Sequence, residues 1–444
     1  MNGRSVTFQQ LIDQKLLVIG DGYRAKNDEL GGTGPIFLRA GHVTDTHIDL
    51  TGVDRFHANL AAVVANKMSQ RDDVVVTTKG NSTGRVTFIA ADIPSVVYSP
   101  HLSFWRSLDQ EQLAPGFLRY WSRSSEFHDQ LSGLKASTDM APYLSLVDQR
   151  RLRVTLPAPS AQKEIARILG ALDDKIELNR RTNDTLEAMA RATFKSWFVD
   201  FEPVRAKLHG HRPANMSDEA ATLFPNEFED SDYGKVPRGW KVFRLKDCGQ
   251  WLSGGTPSKA NAAFWNGSIP WFSAKSMHEQ FLDDTEDRVT DAAVAAGTRL
   301  ACEGSVLFLV RGMSLATEFR FGIAAREVAF NQDVKAIVPA ADIDGVLIAG
   351  LLAHETERIL AMTDEASHGT KRLRTERIEE IRIALPPAPN RLRLAEPLKA
   401  LAKLRLSNYR NSITLTEART ALLPKLLSGE LRIPAAETAA SNIL

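Results

Sequence analysis

The sequence Pro157-Ala158-Pro159 introduces a long segment that occurs twice in this chain. The same three residues return as Pro387-Ala388-Pro389, at an interval of 230 residues (387 − 157), and Lys195 returns as Lys425 at the same interval. A strand-rich segment of similar length precedes each copy, and the interval is far longer than that of a solenoid repeat. The sequence therefore predicts two globular modules, each followed by a long helix.

Each repeated segment has the pattern of an amphipathic helix with coiled-coil character. The seam residues of the first copy recur every seven positions and are Ile165, Leu172, Asn179 and Leu186. The stripe of the second copy includes Leu398, Tyr409 and Ile413. Such long helices are not stable by propensity alone, so we expect the two copies to pack against each other. Asn179 either fixes the register of this seam or is a tolerated defect, and we favour the first interpretation.

These patterns predict an α/β (α+β) chain with an internal pseudo-two-fold repeat, in which two modules are separated by two long helices. Strand-like runs at 74–78 and 86–90 predict a hairpin in the first module, and 152–156 predicts its last strand. The proline- and glycine-rich stretch at 203–239 predicts a linker. The predicted segments are a first module at 1–156, a central helix at 157–202, the linker at 203–239, a second module at 240–386, a distal helix at 387–431 and a flexible tail at 432–444.

The composition argues against a membrane protein and against a protein that binds nucleic acid through a broad basic surface. The formal net charge of the 444 residues is only +1, which argues against a broad basic face that binds nucleic acid unaided. Local basic patches or a partner would have to supply the positive charge. The two cysteines, Cys248 and Cys302, are expected to be buried free thiols in a reducing cytoplasm. No apolar run reaches membrane-spanning length, so a cytoplasmic protein without a membrane partner is predicted.

Motifs that carry catalysis are missing from the sequence. Gly20-Asp21-Gly22-Tyr23-Arg24-Ala25 matches a dinucleotide-binding fingerprint, but the residues that follow cannot sustain the helix that this site requires. No phosphate-binding loop, no metal-ligand spacing and no amino-methyltransferase tetrapeptide occurs. The sequence predicts no catalytic residue and no metal site, which favours a chain that binds rather than catalyses.

The positive signals are short polar and basic loops that suit DNA. Arg and Lys donate to guanine or to phosphate, and Asn reads adenine. A solvated loop charge is an equally good explanation for any one of these residues, but the pattern recurs in both modules. In the first module the candidates are Lys79, Asn81, Ser82, Thr83, Arg85, Lys135 and Thr138. In the second module they are Lys275, Ser276, Arg311, Ser314, Thr370, Lys371 and Arg372.

The second module opens with Gly254-Gly255-Thr256-Pro257, followed by Ile269-Pro270-Trp271-Phe272-Ser273-Ala274-Lys275. This stretch resembles the start of a target-recognition domain of the DNA-specificity subunit of type I restriction–modification systems. The helices at 156–202 and 385–431 resemble the family's two spacers, so the resemblance covers nearly the whole chain. The first module departs from the pattern because it lacks the Gly-Gly-Thr-Pro opening.

The resemblance implies a subunit without catalytic activity, whose modules each read one half of a split double-stranded DNA target. The spacer helices would pack antiparallel, set the gap between the half-sites and dock two modification subunits. Those subunits would carry S-adenosylmethionine and methylate adenine, and this chain would need no cofactor. Restriction subunits with motor and nuclease activity would join the complex. A coiled-coil scaffold with two protein-binding modules is the alternative hypothesis.

Five aromatic residues have two interpretations. Trp265, Trp271 and Phe272 either flank DNA or belong to the core, and core packing is the favoured reading because Trp and Phe are mostly buried. Trp197 and Phe198 lie at the end of the first helical segment. They form either a docking patch for a partner or a hydrophobic plug where helix meets module, and the sequence does not separate these two.

Overall fold

Two long helices, Pro159–Phe198 and Ala388–Ser428, are the largest elements of the computed structural model. The structure describes residues 3–44, 47–136, 143–366 and 369–444. The chain divides into two compact units, the first formed by 1–178 with 411–444 and the second by 179–410. Each long helix therefore contributes one half to each unit, and each unit is described by itself below.

The described residues of the first unit form three small sheets. The largest has four antiparallel strands in the order Leu17–Asp21, Leu102–Ser107, Val74–Thr77 and Val86–Phe88. A second has the order Asp54–Arg55, Ile36–Leu38 and Val96–Tyr98. In the third, Arg4–Thr7 pairs with Arg153–Leu156. The α-helices of this unit, apart from the long ones, are Phe8–Asp13, Ala61–Val64, Pro115–Trp121, Ser125–Ala136, Leu146–Arg151 and Ile433–Ser441.

Aromatic rings and one face of the long helices form the main core of the first unit. Phe8 meets Trp105 edge to face, with ring centroids 4.9 Å apart, and Trp121 packs on both rings. Leu172 and Leu415, one from each long helix, are fully buried in the same cluster. The predicted hairpin is confirmed, since Val74 pairs with Phe88 and Val76 with Val86. Residues 152–156 form the predicted strand from Arg153 onward.

The second unit has a larger set of strands. Its five-stranded sheet has the order Gly249–Ser253, Val334–Pro339, Val306–Leu309, Phe321–Ala324 and Phe281–Leu282. A four-stranded sheet has the order Arg288–Val289, Trp265–Phe272, Val328–Phe330 and Arg299–Ala301. Three further groups are Arg311–Gly312, Lys371–Leu373 and Thr363–Glu365; Lys241–Arg244 and Arg382–Leu385; and Phe228–Ser231 and Gly234–Pro237. The shorter α-helices are Glu202–Leu208, Asp218–Thr222, Asp291–Ala295, Gly345–His354, Thr356–Ala361 and Thr375–Glu379.

The long helices run antiparallel where they pack within each unit. In the second unit Asn183 donates to the Arg405 carbonyl (3.1 Å) and accepts from Asn408 Nδ2 (2.9 Å). Asn179 is 5% exposed and donates to the Asn408 carbonyl at 3.4 Å. Asparagines on facing positions thus bond across the seam, which supports the register interpretation of Asn179.

Most seam residues are buried as predicted, and one is not. The buried ones are Ile165, Leu172, Asn179, Leu186 and Leu398. Tyr409 is half-buried. Ile413 is 38% exposed, and Leu415 is fully buried instead. The prediction for Ile413 was wrong because an α-helix has 3.6 residues per turn, so an extrapolated sequence pattern drifts around the helix and the buried face passes through Leu415 instead.

Three further predictions need correction. The tail at 432–444 was predicted to be flexible, but Ile433–Ser441 is a helix whose Ala436 and Ala440 are buried in the first unit. The predicted linker at 203–239 contains most of helix Glu202–Leu208, which tolerates Pro203 in its first turn, as well as helix Asp218–Thr222 and a hairpin. Cys302 is exposed, so only Cys248 is a buried thiol.

The internal repeat extends beyond the long helices. Each unit closes with an antiparallel strand pair, Arg4–Thr7 with Arg153–Leu156 in the first and Lys241–Arg244 with Arg382–Leu385 in the second. Each long helix is also followed by a short helix that carries proline in its first turn. The repeated unit is therefore a module, a long helix and a short terminal helix. Among the described residues, no helix has the length and apolar content that a membrane span requires.

Candidate nucleic-acid interface

In the first unit the candidate loop joins strands Val74–Thr77 and Val86–Phe88. Lys79 and Asn81 are exposed at its tip. Gly84 has a φ of +88°, and a Cβ atom there would lie 2.1 Å from Leu131 Cδ2. Helix Ser125–Ala136 therefore packs directly on the loop backbone, which only glycine permits at this position. The loop is held rigidly while its tip faces solvent.

Other predicted residues of this loop maintain its shape. The buried Thr83 hydroxyl donates to the Gly80 carbonyl (2.7 Å), and Arg85 Nη1 donates to the Val43 carbonyl (3.0 Å). Ser82 is half-buried, and its carbonyl accepts from the Thr77 hydroxyl. Because these groups form internal hydrogen bonds, the side chains best placed to meet a ligand in this loop are Lys79 and Asn81.

Two more candidates of the first module lie at the border of the described residues. Lys135 is in the last turn of helix Ser125–Ala136, and its side chain lies outside the described part of the structure. Thr138 lies outside the described residues altogether. Both stay predictions from the sequence.

In the second unit the structure brings the basic candidates together on one small sheet. Arg311 is directly opposite Arg372, and Gly312 is opposite Lys371. Arg311 and Arg372 are exposed, whereas Lys371 is half-buried and pairs with Glu365 at 3.3 Å. Two arginines that face each other across a ladder repel, so this arrangement costs stability unless an anion lies between them.

The turn that carries Lys275 lies beside this sheet. A Cβ atom on Gly312 would be 3.8 Å from the Ala274 Cβ, and Arg320 Nη1 donates to the Ala274 carbonyl at 3.3 Å. Lys275 is exposed, and the Ser276 hydroxyl accepts from the Ser273 backbone N–H at 2.9 Å. Lys275, Arg311, Lys371 and Arg372 thus form one surface, which we call the basic patch.

The remaining two candidates of the second module border this patch. Ser314 is half-buried and begins a short 3₁₀-helix, Ser314–Ala316, in which its carbonyl accepts from Glu318 N at 2.7 Å. Thr370 is half-buried and directly precedes strand Lys371–Leu373. Both hold the backbone next to the exposed cations.

Both units build their loops on the same backbone contact. In the first unit the Leu144 N–H donates to the Thr78 carbonyl at 2.9 Å. In the second unit the Leu373 N–H donates to the Val310 carbonyl at 2.9 Å. Lys79 follows Thr78 and pairs with Tyr143, the residue before Leu144. In the same way, Arg311 follows Val310 and pairs with Arg372, the residue before Leu373. An exposed cation therefore occupies the equivalent position in each module.

This contact reveals two residues that the sequence analysis missed. Tyr143 pairs with Lys79 and is 54% exposed, and Met313, two residues after Arg311, is 73% exposed. Neither belongs to a basic motif. Their only sequence signal is an apolar side chain within a polar loop, which is too common at protein surfaces to be informative alone.

A buried ion network joins the first module to both long helices. Asp173 on the first long helix is 8% exposed and accepts from Arg119 and Arg123 of the module. Arg419 on the second long helix and the Tyr120 hydroxyl (2.9 Å) bond to the same carboxylate. Burial raises the pKa of Asp173, but the three guanidinium groups lower it by more, so its pKa lies below the usual aspartate range.

A corresponding network is present in the second unit. Glu187 of the first long helix accepts from Arg405 of the second (2.8 Å) and from Gln280 of the module (2.7 Å). Arg405 also donates to Gln280 Oε1 at 2.6 Å. Burial raises the pKa of Glu187, but hydrogen bonds from Arg191 and Gln280 and the charge of Arg405 lower it overall. The module is therefore tied to both helices through one carboxylate, as in the first unit.

The aromatic candidates belong to the core. Trp271 and Phe272 are 5% and 2% exposed, and half-buried Trp265 packs edge to face on Trp271. Trp197 and Phe198 are buried and contact the rings of Phe224 and Trp240, respectively. The hydrophobic-plug interpretation of Trp197 and Phe198 is therefore the one that the structure supports.

The family model for the type I restriction modification DNA specificity domain matches this chain at 61–188 and 237–420, which is more than half of its length. The chain belongs to this family. The two matched segments include both candidate loops and much of both long helices. The prediction of a type I DNA-specificity subunit, made from the Gly-Gly-Thr-Pro motif and the paired helices, is confirmed.

Relatives of similar length support the assignment. The chain is 26% identical to the type I restriction enzyme HindI specificity subunit of Haemophilus influenzae, with 89% of this chain and 94% of the relative covered. It is also 26% identical to the MjaIX specificity subunit of Methanocaldococcus jannaschii, covering 74% and 72%. Among solved structures, an S subunit from M. genitalium matches 96% of both chains with a TM-score of 0.55 at 14% identity. That likeness shows a shared fold.

Proposed function

We propose that this specificity subunit reads a bipartite double-stranded DNA target, with one module on each half-site. The observation that carries this proposal is the backbone contact repeated in both units. It presents Lys79, Asn81 and Tyr143 in the first module, but Arg311, Met313 and Arg372 in the second. Side chains that differ on the same framework select different bases, so the two half-sites differ in sequence.

The chemistry of the exposed groups suits base and phosphate contacts. Arginine offers a bidentate donor pair for guanine O6 and N7, and asparagine offers one donor for adenine N7 and one acceptor for adenine N6–H. Arg311 and Arg372 face each other on neighbouring strands, an arrangement that a phosphate or a guanine edge between them would stabilise. The second module thus has the donors for guanine, and Asn81 supplies the first with a donor and acceptor pair for adenine.

The long helices provide surfaces for protein partners. Large apolar side chains stand exposed on them, including Leu178 (55%), Met189 (51%) and Leu404 (49%). We take these three side chains as candidate positions of a protein interface, since a partner would cover them. We infer that two modification subunits dock there, that each carries S-adenosylmethionine, and that restriction subunits join this core in the cytoplasm. The specificity subunit itself contributes sequence recognition and no catalytic step.

The low net charge agrees with this assignment of tasks. A chain of net charge +1 cannot hold DNA through a broad basic surface, so partners would contribute phosphate contacts around the duplex. A scaffold with two protein-binding modules is the alternative. The basic patch disfavours it, because four cations on one surface match the phosphates of DNA, whose neutralisation dominates nucleic-acid affinity.

The decisive experiment is to co-express the chain with its cognate modification subunit in a host without DNA methylation. Single-molecule sequencing then maps every modified adenine in the genome. We expect one asymmetric motif in two parts, separated by a gap of constant length. Modification at unrelated sites, or a contiguous motif, would refute two-module reading and favour the scaffold alternative.

A second measurement excludes the scaffold alternative directly. DNA binding by the assembled complex is measured at increasing salt concentration. Displacement of counterions makes the binding constant fall steeply between about 50 and 200 mM salt when several phosphates are contacted. A scaffold that binds only protein would show no DNA binding with this dependence.

A further inference from the structure

We propose that Met313 and Tyr143 contact bases directly, Met313 in the second half-site and Tyr143 in the first. This inference rests on the proposed function and extends it, since neither residue belongs to a basic motif. Both side chains are unusually exposed for their type. Met313 is 73% exposed and Tyr143 is 54% exposed, and both stand beside the cation that occupies the equivalent position in its module.

Local structure does not explain a methionine at position 313. It is the N-cap residue of the 3₁₀-helix Ser314–Ala316, where Ser, Thr, Asp and Asn are preferred because their side chains accept hydrogen bonds. Methionine makes no such bond there. Its side chain is not packed into the core either, so neither capping nor core packing accounts for its type.

The surroundings of Met313 indicate what that ligand is. Arg311 lies two residues away, Arg372 is opposite Arg311, and Lys275 is on the adjoining turn. The nearby carboxylates are already paired: Asp364 with Arg374 (2.7 Å) and Glu365 with Lys371 (3.3 Å). An apolar side chain beside exposed positive charges fits a ligand with apolar faces and negative charge, and a nucleic acid has both.

Base steps and thymine methyl groups are the apolar parts of DNA that a protein reaches. Methionine side chains insert between base steps in several DNA-bending proteins, and apolar groups contact the thymine methyl in the major groove. An aromatic ring can stack on a base that is partly unstacked where a side chain enters a base step of the duplex. We therefore assign Met313 an apolar contact with base edges or a base step, and Tyr143 a stacking contact.

The two modules carry these apolar groups on opposite sides of the same backbone contact. Met313 follows Arg311 on the loop side, at the place where the first module has Asn81. Tyr143 lies on the returning segment, where the second module has Arg372. Each module thus has a cation at the equivalent position and one exposed apolar side chain, but the apolar side chain lies on the loop in the second module and on the returning segment in the first. The same backbone framework can therefore recognise two different DNA sequences.

The test uses the complex of the full chain with its modification subunits and duplexes that contain its mapped target. Met313→Ala should weaken binding roughly 10-fold, as loss of one apolar contact does. Tyr143→Ala should weaken it about 5- to 150-fold, as loss of one stacked ring does. Each variant should also lose sequence discrimination at one half-site only. When the half-site read by the altered module is replaced by another sequence, the variant should lose less affinity than the parent does. When the half-site read by the other module is replaced, variant and parent should lose affinity equally.

The salt dependence of DNA binding distinguishes a side chain that contacts a base from one that contacts a phosphate. Met313→Ala should leave the slope of log binding constant against log salt unchanged, whereas Arg311→Ala should lower it by about one if Arg311 contacts a phosphate. Met313→Leu and Tyr143→Phe are matched controls that retain the apolar group and should bind nearly as the parent does. Thermal unfolding should be unaltered because both side chains are exposed.

Either of two results would overturn the inference. One is parental affinity and discrimination in Met313→Ala and Tyr143→Ala. The other is a loss that is equal at both half-sites or is accompanied by a lower salt slope. A parent complex that prefers no duplex sequence would instead refute the proposed function itself, and this inference would fall with it.

Discussion

Replacing Asp173 by alanine tests how the first module is held on the long helices. The Asp173 carboxylate accepts from Arg119, Arg123 and Arg419, and from the Tyr120 hydroxyl. Arg119 and Arg123 belong to the module, whereas Arg419 belongs to the second long helix. Removal of the carboxylate leaves three guanidinium groups facing one another with no anion between them.

The exposures of the arginines determine the size of the effect. Their side chains are 15%, 19% and 24% exposed for Arg119, Arg123 and Arg419, so water reaches them only in part. Breaking a buried ion pair by removing one partner costs about 3–5 kcal/mol. Because water partly hydrates the arginines, we expect Asp173→Ala to lower the free energy of unfolding by about 3 kcal/mol, the lower end of this range. In a unit of about 200 residues, this corresponds to a fall in Tm of about 6–12 °C.

Hydrogen exchange monitored by mass spectrometry measures the effect locally, because a chain of two units does not unfold in a single two-state step. Peptides from helix Pro115–Trp121 and from 159–178 should lose protection in Asp173→Ala, while peptides from the second unit keep it. Asp174→Ala is the matched control, since Asp174 is the next residue of the same helix and is exposed. Equal stability of the two variants would refute the buried-network argument.

The pH dependence gives an independent check. The pKa of Asp173 is lowered in the folded chain, so its carboxylate stabilises the fold above the unfolded pKa of about 4. That stabilisation is lost as the pH falls through the folded pKa. The difference in stability between parent and Asp173→Ala should therefore stay constant from about pH 8 to pH 5 and shrink below about pH 4. A difference that grows in acid would contradict the assigned sign.

The remaining predictions concern the residues proposed to contact DNA and the two long helices. Lys79→Ala and Arg311→Ala should each relax recognition of one half-site, by about 1–3 kcal/mol if the cation contacts a base, in quantitative methylation assays; equal loss at both halves would point to misfolding or phosphate contact. Deleting one heptad from each long helix (176–182 and 407–413) shortens each by about 10 Å, so the gap in the mapped motif should shrink by up to about three base pairs with unchanged half-sites. Altered half-site sequences would contradict the spacer hypothesis. Asn179→Leu should raise the thermal stability of the second unit yet produce bimodal hydrogen exchange in 179–198 as a second register becomes populated, whereas a single population would show that Asn179 does not set the register.

The long helices were predictable because their signal is local and repeated. A heptad pattern and a Pro-x-Pro entry need no tertiary information, and helix Pro159–Phe198 begins and ends within a few residues of the predicted 157–202. The error at Ile413 came from extrapolating that pattern, since a small error in period accumulates along a helix. The short helix after the first long helix was missed because Pro203 was read as a breaker, although it lies in the first turn. The helix after the second long helix was missed because 432–444 was predicted to be a flexible tail.

The candidate interface was predictable only in part. Lys79 and Arg311 were found because cations and glycines crowd a short loop. Thr83 and Arg85 were in the same loop, yet their side chains hold it together, and no sequence signal separates a reading residue from a supporting one. Tyr143 was missed because its pairing with Lys79 joins residues that are distant along the chain.

The family, the two modules, the paired helices and the basic loops can be inferred from the sequence, because they depend on periodicity, repetition and short motifs. Which side chains share a surface cannot be inferred in this way. The fold places Arg311 opposite Arg372, buries Trp271 and exposes Met313. Burial and cross-strand pairing depend on contacts between distant segments, and the geometry of those contacts is set by packing of the whole unit.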